Sequence, residues 1–266
     1  MPLHDLPDWC REHLGTEPAE VLFHVQQVSM VFGLRLAGGT DAVVKARADD
    51  GRAVSCLAAQ ARLAERGFPC ARPLTPVTAV GSLAVHAEEF RPGGEVLPGD
   101  SPDAIARYAE VFARLMSELA GVSVAPPLPN PPWVRWDHAD AGLWPAIGWL
   151  DRRDQSVVPA YIADTAERAR RRILAAGLPC VLGYADFEAQ NLRWHGQQVW
   201  AVHDWDSLAW QPEAALAGAA SGAFASDGPP TLAPVESSEA FLVAYQDIRG
   251  RSFTAVEQEI AWAAGL

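Results

Sequence analysis

Cysteine is sparse and scattered in this 266-residue chain. Cys10, Cys56, Cys70 and Cys180 make no C-x-x-C pair. Their spacing excludes a zinc site of the finger or ribbon kind and a disulfide framework. A soluble chain of this length buries about 75% of its unfolded surface and needs no staple. The expectation is buried free thiols in a reducing, cytoplasmic setting. The opening MPLHDLPDWCREHLG carries acids and a histidine and does not read as a signal peptide. No apolar run approaches the ~20 residues that a membrane-crossing helix needs. Positive charge is also short: 21 Lys and Arg stand against 33 Asp and Glu, a net charge of −12. Such a surface repels nucleic-acid phosphates and anionic lipid, so neither is an expected partner, whereas a small cationic molecule suits it. There is no G-x-S-x-G elbow for serine hydrolysis, no internal repeat, and no composition pointing to disorder.

What is present reads as an α+β chain in two parts. Residues 6–15 predict a short helix stopped by Gly15. VSMVFGLRLAGGTDAVVKARADDG predicts two strands joined by a turn at Gly38-Gly39-Thr40-Asp41. RAVSCLAAQARLAERGFP repeats apolar residues at helical spacing and ends at Gly67. SLAVHAEEF predicts a further strand, closed by Arg91-Pro92-Gly93-Gly94. Beyond this the texture turns helical. SPDAIARYAEVFARLMSELAGV has Ser101 as cap and Pro102 at the first helical position. A second long helix falls in SVVPAYIADTAERARRRILAAGLP, and an Ala-rich helical tail starts near 213. The boundary is placed after residue 90, giving 1–90 and 91–266.

The chemistry concentrates in GYADFEAQNLRWHGQQVWAVHDWDSL, Gly183 to Leu208. Asp186 and Asn191 are too far apart to be helix neighbours, but a loop brings such residues to one cavity. VWAVHDWD reads as a strand running into Asp204 and Asp206. Carboxylate and amide oxygens are hard ligands suited to Mg²⁺. The plainer reading is that each of these residues serves the local hydrogen bonding of a turn. A transition-metal cluster of His195, His203, Asp204 and Asp206 is disfavoured, because His203 and Asp204 would point to opposite faces of a strand. The order of a lone Asp, an Asn five residues on and an Asp at the next strand end is the order that kinase-type phosphoryl transfer uses.

In that order the span resembles the aminoglycoside phosphotransferase and choline-kinase-like family. Its motif H-G-D-x-x-x-x-N, followed by a strand ending I-D-[WF]-[DE], stands here as Tyr184-Ala185-Asp186, Asn191 and His203-Asp204-Trp205-Asp206. DAVVKAR is similar to the lysine strand, ERGFPCARPL to the helix-to-strand passage, and AEEFRPGGEV to the lobe hinge. The resemblance implies a two-lobed protein-kinase-like fold, with a strand-rich first lobe that clamps the nucleotide and a mostly helical second lobe. It implies ATP and Mg²⁺ as cofactors and a small-molecule hydroxyl as acceptor. By the same resemblance Asp186 is the catalytic base, Asn191 and Asp204 hold Mg²⁺, and Asp206 neighbours metal or substrate. Lys45 clamps the ATP phosphates, and Glu88, Glu89 and Phe90 offer backbone groups to adenine.

Departures from the pattern set further expectations. Tyr184 and Ala185 replace the motif His and Gly, with Tyr184 supporting the loop. Gln60 stands where kinases carry the helix glutamate that pairs with the lysine, so Lys45 is expected to bond to Gln60 and to be held loosely. No glycine-rich loop precedes the hairpin, where HVQQVSMVFG offers only Ser29 and Gly33. The rival reading is a pseudokinase that binds nucleotide and transfers little. Trp133, Trp136, Trp144 and Trp149, with Asp137, His138 and Asp140 among them, suggest an acceptor wall for an amine-bearing molecule.

Overall fold

In the computed structural model the described residues are 5–124, 128–139, 155–228 and 231–265. Two compact units emerge, each discontinuous in sequence. The first comprises Met1–Gly94, Ser123–Ala125 and Trp200–Asp206; the second comprises Glu95–Val122, Pro126–Val199 and Ser207–Leu266.

The first unit contains α1 (Leu6–Leu14), β1 (Pro18–Gln26), β2 (Met30–Leu36), β3 (Asp41–Ala48), α2 (Ala53–Glu65), β4 (Thr78–Val80) and β5 (Leu83–Glu89). The strands form an antiparallel sheet in the order β1-β2-β3-β5-β4. The Gly-Gly turn joins β2 to β3: Leu36 N–H bonds the Thr40 carbonyl at 2.8 Å, and Gly39 takes φ +82°. Alternation along β3 sorts its side chains onto two faces. Ala42, Val44 and Ala46 join Phe32, Leu34, Val85 and the α1 residues Leu6, Trp9 and Cys10 in one buried cluster. Trp9 is fixed there by an indole N–H bond of 2.8 Å to Thr78. Lys45 and Arg47 take the other face, beside Cys56, Leu57 and Gln60 of α2.

Residues 200–206 belong to this unit because Val202 N–H bonds the Pro69 carbonyl at 2.8 Å and the Trp205 ring meets Phe68 edge-on, 6.0 Å between centroids. Strand β1 was not signalled by its sequence. It lies at the sheet edge with irregular register at Pro18–Glu20 and Val21–Phe23, and most of its side chains are exposed, so it lacks the alternation that marks a half-buried strand.

The second unit contains α3 (Pro102–Ala120), α4 (Ala160–Ala175), β6 (Cys180–Tyr184), β7 (Leu192–His195), β9 (Leu208–Pro212), α5 (Glu213–Ala223), α6 (Val235–Arg249) and α7 (Ala255–Gly265); β8 (Gln198–Val202) follows β7 and runs on into the first unit. The Ser101 hydroxyl accepts from Ala104 N–H at 3.2 Å, capping α3 as its sequence predicts. Aromatic rings fill the core. Phe112 of α3 lies 4.8 Å from Phe187, and Phe224 stacks on Phe241 at 5.3 Å. Strand β6 pairs with β9 and packs closely at Gly183, where a Cβ would come within 2.3 Å of the Leu216 side chain. Three of the thiols are buried, but Cys180, at the start of β6, is exposed, which corrects the expectation that all four are interior. Among the described residues no helix is long and apolar enough to cross a membrane.

Candidate active site

In the second unit Asp186 lies two residues past Tyr184, the end of β6. Tyr184, the last residue of that strand, is wholly buried, with its ring edge-on to Phe187. Phe187 is itself buried against Phe112 and Tyr108, so the residue after Asp186 is anchored in the aromatic core. The chain then folds back in a 3-10 turn, Ala189–Asn191, with Glu188 N–H bonding the Asp186 carbonyl at 3.1 Å and Asn191 N–H bonding the Glu188 carbonyl at 3.0 Å. The turn closes the five-residue gap. The Asn191 amide nitrogen donates to the Asp186 carbonyl at 2.9 Å and to its carboxylate at 3.0 Å. Its amide oxygen is the end turned away from Asp186, a hard donor of the kind Mg²⁺ takes.

Beside this pair stands Glu188, which the sequence reading passed over. Burial, and then the charge of Asp186, push its carboxyl up to about 7. Asp186 and Glu188 border a cavity of about 340 Å³ lined also by Trp133, Trp136, Arg170 and the Ala-rich face of α5. Arg170 donates to the carbonyls of Trp136 and His138, which ties this wall to α4. Of the indole cluster expected as an acceptor wall, Trp133 and Trp136 line the cavity; Asp140, Trp144 and Trp149 lie outside the described residues.

In the first unit Lys45 and Glu88 form an ion pair of 2.9 Å, with side chains only 14% and 4% exposed. Gln60 does not take the place expected for it at the lysine. Its amide donates to Glu88 at 2.8 Å and to the Ala71 carbonyl at 2.9 Å. Lys45 is therefore held by a buried carboxylate rather than loosely by an amide. Burial presses the Lys45 ammonium toward neutrality, but the charges of Glu88, Asp206 and Asp204 outweigh it and hold its pKa above the ordinary value. His86 shares this face of β5. Burial and the neighbouring Lys45 lower it to about 4, so it is neutral at physiological pH.

Asp204 and Asp206 complete the group. The strand ends at Val202, not in the acids, and Asp204 takes φ +60°, the one non-glycine residue with positive φ among the described residues. Asp tolerates that region better than most residues, and such conformations gather where structure over-determines a site. Asp206 accepts from Arg47 at 2.6 Å and lies 3.4 Å from the Ser29 hydroxyl in the β1–β2 turn. Burial would raise its pKa, yet its hydrogen bond with Asp204 and the charges of Arg47 and Lys45 hold it well below the usual carboxylate range. Arg47 was also missed, although its position two residues after Lys45 on one strand puts it on the same face.

Two further expectations change. Glu89 N–H donates to the Arg72 carbonyl at 2.8 Å, so that group is already engaged and is not the hinge donor suggested for adenine. Phe90 packs its ring 5.8 Å from Phe23. Gly33 is no loop residue: it lies in β2 under the Phe23 ring, where a Cβ would approach to 2.1 Å. Among the described residues no group of three or more His, Cys, Asp or Glu could hold a metal. A Mg²⁺ site of one or two side chains completed by substrate phosphates needs no such group.

A family model described as the phosphotransferase enzyme family matches residues 34–252. No curated protein matches the sequence. Among solved structures, the chain resembles the amicoumacin kinase hAmiN, in complex with AMP-PNP, Ca²⁺ and Ami, at TM-score 0.66 and 12% identity, covering 93% of this chain and 79% of that one. It resembles spectinomycin phosphotransferase APH(9)-Ia, in complex with ADP and spectinomycin, at TM-score 0.60 and 13% identity, covering 99% and 84%. It also resembles the macrolide 2′-phosphotransferase MphH from Brachybacterium faecium at TM-score 0.54 and 16% identity, covering 97% and 87%. At these identities the likeness establishes the protein-kinase-like fold.

Proposed function

The chain belongs to the phosphotransferase enzyme family and is a small-molecule kinase, and on that premise we propose that it transfers the γ-phosphoryl group of ATP to a hydroxyl of a small acceptor, with Mg²⁺. Residues 1–90 act as the nucleotide-clamping part and 91–266 as the catalytic and acceptor-binding part. The observation that carries this reading is the gathering of Lys45, Glu88, Asp204 and Asp206 in one unit, with the lysine held charged and Asp204 in a left-handed conformation. A cation and hard carboxylates in one buried setting are what a polyphosphate and its metal require.

Lys45 steadies the nucleotide phosphates, and Phe90, against Phe23, offers an apolar surface to the base. Asn191 in the second unit and Asp204 in the first are each an oxygen ligand of the kind Mg²⁺ takes, and Mg²⁺ when bound neutralises charge on the phosphate oxygens. Asp186 orients the acceptor hydroxyl and takes its proton; the bond from Asn191 fixes the carboxylate for that task. Asp206, bound by Arg47, holds the loop that carries Asp204. The acceptor docks in the cavity of the second unit between Trp133 and Trp136, with Asp186 and Glu188 at its edge. Carboxylates beside indole faces suit a hydroxyl compound that also bears an amine. The case for a binding-only pseudokinase rests on Tyr184, Ala185 and Gln60; the Lys45–Glu88 pair supplies the charge that Gln60 lacks and so speaks against the Gln60 part of it.

Isothermal calorimetry with ATP, with and without Mg²⁺, on wild type and Asp204→Ala tests the reading. Mg²⁺-dependent binding that is lost in the variant is the expected result. An ADP-release assay with a panel of amino alcohols and sugars follows, in which Asp186→Asn should slow transfer by about 10²–10⁴-fold, the range for removing a general base. Absence of nucleotide binding in wild type under both conditions overturns the assignment.

A further inference from the structure

We propose that Glu88, a strand residue, is the positioning residue of Lys45 in nucleotide binding, and that Gln60 serves only to orient Glu88. The inference rests on the phosphotransfer reading above and gives the Glu88 side chain a role within it that the reading leaves open. In protein kinases the lysine of the third strand pairs with a glutamate on the following helix, and helix placement controls the pair. Here the corresponding helix, α2, presents an amide instead. That amide does not meet the lysine; it donates to Glu88 and to the Ala71 carbonyl.

The carboxylate has moved to the sheet. Strands β3 and β5 are antiparallel neighbours in which Lys45 stands opposite His86 and Val43 opposite Glu88. Lys45 and Glu88 are thus diagonal neighbours on one face, within reach of long side chains. The geometry reports the outcome: one Glu88 oxygen takes Lys45 at 2.9 Å and the other takes Gln60 at 2.8 Å. His86, the nearest alternative partner on the face, is neutral and supplies no charge. Asp204 and Asp206 act on Lys45 through space, and Asp206 is itself taken by Arg47. Ladder register brings the pair together, and α2 contributes only the Gln60 bond that orients the carboxylate.

Two readouts on full-length protein test this. The first needs no nucleotide: labelling of Lys45 by an amine-reactive acetylating reagent at alkaline pH, mapped by peptide mass spectrometry. In wild type Glu88 keeps the ammonium protonated and Lys45 resists labelling. In Glu88→Gln burial is opposed only by Asp206 and Asp204, and Lys45 labels faster than in wild type. The second is ATP affinity with Mg²⁺ by calorimetry. Glu88→Gln is expected to weaken binding about tenfold, the step for one charge-assisted contact losing its orientation. In a Lys45→Met background the same change should add nothing, since it acts through the lysine.

Should Glu88→Gln fail to fold, Glu88→Asp retains the charge but withdraws it by one methylene. It should show a smaller loss of affinity and intermediate labelling. Equal labelling and equal affinity in the Glu88 variant and wild type overturn the proposal, as does a Glu88→Gln loss that persists undiminished without Lys45. A wild type that binds no nucleotide overturns the phosphotransfer reading, and with it any role of the pair toward phosphate. A wild type that binds while the variant binds equally well overturns the role of Glu88 alone.

Discussion

Replacing Gly218 by alanine tests the packing that shapes the second unit. Gly218 lies in the middle of α5, and a Cβ built there would sit 1.9 Å from the carbonyl oxygen of Ala261 in α7 and 2.6 Å from its carbonyl carbon. The obstacle is backbone, so no side-chain rotation relieves it. The helices would have to part by roughly 1.5 Å to restore an ordinary contact of about 3.5 Å, and a gap of that size forfeits a large share of the dispersion contacts along the seam. Overpacking costs about 1–3 kcal/mol, and the backbone clash places this case near the top. Alanine returns about 1 kcal/mol of helix propensity. The net loss is about 2 kcal/mol, which for a chain of this size lowers Tm by about 4–8 °C. Circular dichroism melting at fixed protein concentration measures it. Gly250→Ala is the comparison: Gly250 caps α6 at φ +66° with open space around its Cβ, so its cost is the left-handed penalty of about 1–2 kcal/mol without any clash. A Gly218→Ala protein melting at or above the wild-type temperature refutes the close-contact argument. Because α5 lines the cavity through Ala215, Leu216 and Ala219, the variant should also weaken acceptor binding.

Other predictions follow from the same geometry. The folded pKa of Glu188 is raised to about 7 by burial and by Asp186. A carboxyl with a raised folded pKa favours the fold fully below its unfolded value of about 4.5 and loses that advantage as pH rises through about 7. Wild type should therefore lose Tm relative to Glu188→Gln between pH 5 and pH 8, and parallel pH profiles of melting would refute the assignment. Arg170→Ala removes the donors that hold the Trp136 and His138 carbonyls. Charge-assisted bonds of about 1.5–3 kcal/mol are lost, so amide exchange over residues 132–139 should quicken by about tenfold or more. Unchanged protection there would show that the wall is held by other contacts.

The order Asp186, Asn191, Asp204 was legible because motif spacing is a property of the chain. So were the cap at Ser101, the Gly-Gly hairpin and the amphipathic helices, since each depends on neighbours a few residues away. Strand β1 was not legible, because an edge strand with broken register and exposed side chains has no alternation to read. Asp204 was placed on a strand end by its apolar neighbours, whereas its φ of +60° is imposed by the turn that follows Val202.

The sequence by itself determined the residue types that chemistry needs: a lysine on a β-branched strand, and an aspartate, an asparagine and two further acids in fixed order. Only the tertiary structure decided which groups meet. Strand register, not position along the chain, sets Glu88 beside Lys45, while Gln60, which linear spacing nominates, is turned onto Glu88 and the Ala71 carbonyl. Arg47 finds Asp206 across more than half the chain in the same way. Pairings of this kind are fixed by burial. A charge removed from water must find its opposite wherever the fold places it, and the distance along the sequence has no bearing on that requirement.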